Sequence, residues 1–281
     1  MLACSMNLQA PAKINLHLSI LGKRPDGFHE IESLMVPLTL ADSLTLELGE
    51  PGIAFRCSDP TLPCDDSNLV VRAAKAFFEK ANLAPNVRLH LEKAIPHGAG
   101  LGGGSSDAAT TLLGLNQLYN RPLAPGLLHE LAAQTGSDVP FFLARSAALC
   151  RGRGEIVEPV PFPHALPLLL IKPGFGVPTP WAYSRWSGSR ELPGVSYAPQ
   201  AFPWGTLVND MERPVFEKYL LLPILKRWLG EQPETVGALM SGSGSTCFAV
   251  LRDGADGAAL EARARAAFGE VWTCLCQTVV E

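Results

Sequence analysis

Residues 95–108 read IPHGAGLGGGSSDA, with five glycines in the seven positions 98–104 and two serines directly behind them. Fixing a glycine costs more backbone entropy than fixing any other residue, so this density needs a reason. An ordinary turn requires positive φ at one or two positions only. Five glycines argue that something approaches the backbone closely. A strand-like run, VRLHLEK at 87–93, leads into them, and Ala108, Leu112, Leu115 and Tyr119 recur behind them at helical spacing. The spacing predicts a helix over 105–118 that opens at Ser105. Strand, glycines and helix together leave unpaired amides converging on one point, where the helix dipole adds about half a positive charge. That arrangement suits polyphosphate, and the serine hydroxyls could donate to phosphate or ligate Mg²⁺.

Two other glycine motifs fit less well. Gly98, Gly100 and Gly103 satisfy G-x-G-x-x-G, but a dinucleotide site also wants a carboxylate about 20 residues further on. None stands between Asp107 and Glu130, and the stretch lies far from the first strand. A Walker loop needs Gly-Lys-Ser/Thr, which occurs nowhere in the chain.

Outward from the glycines, AKINLHLSIL at 12–21 alternates, with Ile14, Leu16, Leu18 and Ile20 on one face and Lys13, Asn15, His17 and Ser19 on the other. Lys13 and Asn15 should therefore lie about 7 Å apart on a shared polar face. GKRPDGFHE then turns the chain, and strands are expected at 31–38 and 43–48. A helix is expected over 68–81 with Ser67 as its N-cap. Another runs from Pro125, in its first turn, to Gly136 just past its end. Asp138 follows in GSDVPFFL, where a cap and a functional carboxylate are both open readings. Two short strands joined by RGRG at 151–154 come next.

From about 165 the pattern restarts. LPLLLIK reads as a buried strand, 178–206 as a Pro- and Ser-rich irregular stretch, and 207–230 as helical. Strands at 236–241 and 246–251 flank SGSGS, which is either a hairpin or a second phosphate-facing loop. A helix over 255–268 and a strand over 271–279 complete a β-α-β-β-α-β order. Two α/β domains are expected, 1–160 and 161–281.

Bulk properties narrow the function class. The 281 residues are 47% apolar and 18% charged, ordinary for a compact protein. A net charge of −4 gives no electrostatic case for nucleic acid or an anionic membrane as partner. No apolar run approaches the roughly 20 residues of a membrane span. The opening MLACSMNLQAPAK lacks targeting features. A cytoplasmic protein with no obligate protein partner is the expectation. The seven cysteines are scattered without a C-x-x-C pair, so they read as core groups, with Cys274 and Cys276 on one side of a strand.

Five segments, PAKINLHL (11–18), PHGAGLGGGSSDAA (96–109), GSDVPFFL (136–143), PTPWAY (178–183) and MSGSGSTCFAV (240–250), resemble successive motifs of the GHMP small-molecule kinases. The triple glycine and GKRPDGFHEI (22–31) resemble one branch of that family rather than its mevalonate and homoserine branches. The resemblance implies an α+β two-domain GHMP kinase fold. Its N-terminal domain would be like domain 2 of ribosomal protein S5, its C-terminal domain ferredoxin-like with a split βαβ, and its active site would lie in the cleft between them. It implies ATP as phosphoryl donor, Mg²⁺, and in this branch phosphorylation of the 2-hydroxyl of a cytidylylated methylerythritol.

Residue by residue, Lys13 and Asp138 fall on the family's catalytic pair. Pro96, His97, Gly98, Ala99, Gly100, Leu101, Gly102, Gly103, Gly104, Ser105 and Ser106 fall on its ATP-phosphate loop. Asn15 falls near the transferring group, Phe28 and His29 on the aromatic–His pair that recognises cytosine, and Tyr183 on a second stacking ring. Phe28 stands where tyrosine is common, and His97 where a small or apolar residue is usual. The family's Mg²⁺-holding carboxylate has no clear counterpart. Another alcohol substrate (mevalonate, homoserine or a sugar) would leave Phe28, His29 and Tyr183 without a base to read. A catalytically inactive nucleotide-binding protein would have no use for both Lys13 and Asp138.

Overall fold

The alternating run at 12–21 is the middle of a much longer strand. In the computed structural model, which describes residues 5–280, β1 spans Ser5–Lys23 and pairs antiparallel with β2, His29–Leu48. Cys4 lies outside the described residues. Register shifts at Pro11/Lys13, Asn15/His17 and Ile20/Gly22 break the period of two. Ile14 and Leu16 consequently enter one core, and Leu18 and Ile20 another. At Lys13 and Asn15, 3% and 1% exposed, the polar face is not solvated, while His17 and Ser19 are half-buried.

After β3 (Gly52–Cys57) the chain forms α1 (Leu69–Ala81), β4 (Asn86–Glu92) and α2 (Gly103–Leu118). Asn68, not Ser67, caps α1: Asn68 Oδ1 accepts from the Val70 N–H at 2.9 Å, while the Ser67 hydroxyl donates to Asp65 at 2.6 Å. Asn68→Ala should cost about 1 kcal/mol, read as a lower urea midpoint at unchanged slope. Next come α3 (Pro125–Thr135), α4 (Val139–Ala144), β5 (Ala148–Gly152) and β6 (Ile156–Pro159).

The second half contains β7 (Pro167–Pro173), α5 (Thr179–Arg185), β8 (Gln200–Phe202) and β9 (Gly205–Asn209). It continues with α6 (Glu212–Lys218), α7 (Leu221–Gly230), β10 (Thr235–Met240), β11 (Cys247–Leu251), α8 (Gly257–Phe268) and β12 (Val271–Gln277). The stretch expected to be irregular thus holds a helix and a hairpin. The helical pattern expected from 207 begins only at Glu212, because 205–209 form a strand.

One sheet runs β3-β4-β2-β1-β9-β8, with β5 and β6 continuing from β2. The hairpin β8–β9 comes from the second half of the sequence but joins this first sheet, β9 lying parallel to β1. The other sheet, β10-β11-β7-β12, is antiparallel throughout, the strand order of a ferredoxin-like split βαβ unit.

Three apolar cores result. In the first, Leu44 and Leu46 meet Phe77, Leu112 and Phe141 from the helices. In the second, Ile171 and Ala249 meet Phe216, Leu225 and Leu260. The third lies between the two sheets, where Ile14, Leu16 and Leu38 meet Leu168, Phe248 and Val250. Cys274 and Cys276 pack from one side of β12 against this third core.

Candidate active site

The glycine stretch begins its helix two residues earlier than expected. Gly102 is the N-cap of α2 with φ 71°, in the left-handed region, and no side chain caps the helix. The first main-chain bond of the helix runs from the Ser106 N–H to the Gly102 carbonyl at 2.9 Å. The amides of Gly103, Gly104 and Ser105 are therefore left for an outside acceptor. A Cβ on Gly102 would stand 2.7 Å from the Phe142 ring and 3.0 Å from Lys13 Cγ, so only glycine fits.

β1 and the glycine stretch are tied directly, the Lys13 N–H donating to the Leu101 carbonyl at 2.9 Å. The Lys13 ammonium donates to Asn15 Oδ1 at 2.6 Å and lies 3.6 Å from Asp138 Oδ2. Asn15 in turn donates to Ser33 Oγ at 2.7 Å, and Ser33 to the His17 carbonyl at 2.7 Å. The lysine is thus buried with its charge answered on two sides, as a buried cation must be. Asp138 is the N-cap of α4, yet its side chain makes no capping bond and stays 33% exposed. Of the two readings open for it, the capping one is removed.

The SGSGS loop closes over the glycines. The Thr246 N–H donates to the Ala99 carbonyl at 3.1 Å and Ser241 Oγ to the Gly100 carbonyl at 2.9 Å. Asn209 holds this loop from behind through the carbonyls of Met240 and Gly242, at 2.7 and 2.8 Å. Glu212, buried against Lys226 at 2.5 Å, accepts from the Met240 N–H at 3.0 Å.

A cavity of about 760 Å³ joins these groups. Lys13, Asn15, Asp138 and the glycine stretch line it, and at one end so do Phe28, His29 and Tyr183. The structure therefore brings every site residue expected from sequence into one cleft except Ser106, which is buried beneath it, and leaves His97 exposed at the lip. The aromatic pairing differs from a simple facing pair. The Tyr183 ring sits 5.4 Å from the His29 ring, while the Phe28 ring is covered by the Arg153 guanidinium at 5.0 Å. Burial, helped by the charge of Lys23, holds the His29 imidazole below its ordinary value, so it is neutral near pH 7. Burial, with the nearby Asp138 charge, pushes the Tyr183 phenol well up, so it stays a hydroxyl.

Several lining residues escaped the sequence reading. Leu62, Pro63, Leu69 and Leu91 add apolar surface to the cavity beside the polar Asn68, and Leu69 lies against Gly104. Beneath the helix mouth Lys93 bonds Asp42 and, at 2.8 Å, Asp107. Asp42 also accepts the amides of Ala94 and Ile95, at 2.6 and 2.8 Å. Burial pushes the Asp107 carboxyl up to about 7, Lys93 pulling it back and Asp42 adding to the rise. These groups lie far apart in sequence, and no local spacing signals their meeting.

No cluster of three or more His, Cys, Asp or Glu groups fit for a metal occurs among the described residues. Two polar atoms beside the glycine loop nevertheless have no partner, Ser106 Oγ and Asp107 Oδ1. Mg²⁺ is usually held by one or two carboxylates together with substrate phosphates, so this donor set fits a Mg²⁺ that arrives with a nucleotide.

A two-domain α+β fold with a glycine-lined, uncapped helix mouth and a lysine–aspartate pair on one cavity is an arrangement suited to a small-molecule kinase. The sequence profile of the GHMP kinases N terminal domain matches residues 68–146, and that of GHMP kinases C terminal matches 202–270. The 4-diphosphocytidyl-2-C-methyl-D-erythritol kinase of Methylacidiphilum infernorum (isolate V4) is 46% identical over 248 residues, 88% of this chain and 86% of that protein. A crystal structure of 4-(cytidine 5'-diphospho)-2C-methyl-D-erythritol kinase superposes with a TM-score of 0.77 at 38% identity, covering 97% of this chain and 99% of that one. The chain belongs to the GHMP kinases and, within them, to the family of 4-diphosphocytidyl-2-C-methyl-D-erythritol kinases. Homoserine kinase from Cytophaga hutchinsonii shares the fold, with a TM-score of 0.65 at 18% identity over 100% of this chain and 96% of that one.

Proposed function

We propose that this protein transfers the γ-phosphoryl group of ATP to the 2-hydroxyl of 4-diphosphocytidyl-2-C-methyl-D-erythritol, in the non-mevalonate route to isoprenoid precursors. The observation that carries the reading is the uncapped mouth of α2 facing, across one cavity, a lysine and a carboxylate 3.6 Å apart. The named relatives supply the substrate.

Phosphoryl transfer passes through a loose transition state, so the protein mainly positions reactants and answers spread charge. In this reading the amides of Gly103, Gly104 and Ser105 hold the β- and γ-phosphates, and the adenosine lies along the wall from Leu62 to Leu69. Ser106 and Asp107 would hold Mg²⁺, which offsets phosphate charge when bound. Asp138 orients the substrate hydroxyl. As the oxygen attacks phosphorus and the bond to the β-phosphate bridge breaks, the hydroxyl proton passes to Asp138 and then to water. Lys13 answers the charge that develops on the transferring group, and Asn15 fixes the lysine. At the other end Phe28 and Tyr183 stack on the cytosine, and neutral His29 both donates to and accepts from its polar edge.

The reading is tested by ADP release against a panel of the cytidylylated methylerythritol, mevalonate and homoserine, where only the first should be turned over. Tyr183→Ala should raise KM for the cytidylyl substrate by about 5- to 150-fold, one stacking face being worth on the order of 1–3 kcal/mol. KM for ATP should stay within twofold; an equal rise in both would point to misfolding instead. We place the enzyme in the cytoplasm. Among the described residues no helix is long and apolar enough to cross a membrane, and all six described cysteines are free thiols.

A further inference from the structure

The cations around the acceptor end of the cavity fall into two sets. Arg24 is paired with Asp26 and Glu30, at 3.1 and 2.9 Å, and Arg151 with Glu32 and Glu158, at 3.1 and 2.9 Å. Their immediate neighbours Lys23 and Arg153 line the cavity instead, and neither has a carboxylate within ion-pair distance among the described residues. Glu155, the nearest acid in sequence to Arg153, bonds the Arg153 main-chain N–H at 2.7 Å rather than its guanidinium. One guanidinium nitrogen, Nη2, donates to the Ala133 carbonyl at 2.7 Å, which anchors the side chain and leaves its other donors free. A cation kept from its neighbouring acids at a cavity wall is matched to an anion from outside.

The position of Arg153 identifies that anion. It lies between the two groups that would hold opposite ends of the acceptor substrate. A Cβ on the adjacent Gly154 would be 3.6 Å from Asp138 Oδ1, and the guanidinium sits 5.0 Å from the centre of the Phe28 ring. A substrate whose hydroxyl meets Asp138 and whose base meets Phe28 must carry its connecting diphosphate past Arg153. Lys23 flanks the same stretch from the end of β1, paired in register with His29.

We infer that Lys23 and Arg153 form a second anion site, separate from the glycine loop, which grips the diphosphate of the cytidylylated substrate. The inference rests on the function proposed above. Arg153 has a double part, since its planar head can bond phosphate oxygens while covering Phe28. The site gives affinity for the linker without touching the reacting atoms, so it sets which cytidine compounds are admitted.

Calorimetric titration of cytidine and of CDP, each with a saturating non-hydrolysable ATP analogue in the glycine loop, tests it. The wild type should bind CDP at least about tenfold more tightly than cytidine, because charge-assisted bonds are the strong ones. In a Lys23→Met/Arg153→Met protein that margin should vanish while the ATP analogue binds as before. If CDP keeps its margin in the variant, the two cations do not read the diphosphate, and the proposed function stands. If the variant binds cytidine and CDP more weakly by the same factor, so that the margin survives, the two cations act on the base through Phe28, and the diphosphate assignment is overturned. Failure of the wild type to bind either compound would remove both this inference and the reading beneath it.

Discussion

Replacing Asp138 by asparagine should lower turnover at least about 100-fold, the low end of what a general base contributes. Binding of an ATP analogue should change little. The side chain keeps its size, so the packing around α4 is preserved. Two things are lost: the only carboxylate within ion-pair distance of the Lys13 ammonium among the described residues, and the acceptor for the proton leaving the substrate hydroxyl. Asp138 is well placed to show this cleanly, because it makes no capping bond whose removal would unfold the helix it precedes. The measurement is steady-state ADP release at saturating ATP. Turnover within a few-fold of wild type would remove Asp138 from the chemistry.

Gly100→Ala should be nearly as damaging, through structure. Gly100 has φ 76°, and a Cβ there would stand 2.3 Å from the Ser241 carbonyl oxygen and 2.9 Å from that of Gly244. Both neighbours are backbone, in a loop fastened on the same side by Asn209 and Thr246, so neither can swing aside. Strain and overpacking together should cost about 2–5 kcal/mol, measured by urea unfolding. The glycine and SGSGS loops would also be forced apart, and affinity for an ATP analogue should fall along with stability. A variant as stable as the wild type would mean that the two loops are not in contact.

How much of this was legible beforehand depended on sequence distance. The glycine density between a strand and an Ala-rich helix pointed to an open helix mouth lined by main-chain amides because cause and pattern lie within twenty residues. The β-α-β-β-α-β order of the second half could be read for the same reason, each element carrying its own period. What was missed was non-local. Nothing in AKINLHLSIL indicates that Lys13 and Asn15 are covered, because Gly242 of the SGSGS loop, more than 200 residues on, comes up against both. The hairpin β8–β9 is three and five residues long within Pro- and Ser-rich sequence, too short for alternation to show. Nothing local in the sequence marks Lys93 or Asp42, and only folding places them under the helix mouth. The cap of α1 falls one residue beyond the expected Ser67, on Asn68, because boundaries of one residue are decided by backbone angle, which composition does not reveal.

The oily layer between the two sheets bears on how the protein is made. While the first half has left the ribosome and the second has not, Ile14, Leu16 and Leu38 lack their covering side chains from β7 and β11. Nor can β1 complete its hydrogen bonding until β9 has been synthesised. The nascent chain therefore waits with a greasy face in water, and maturation finishes only near the end of translation.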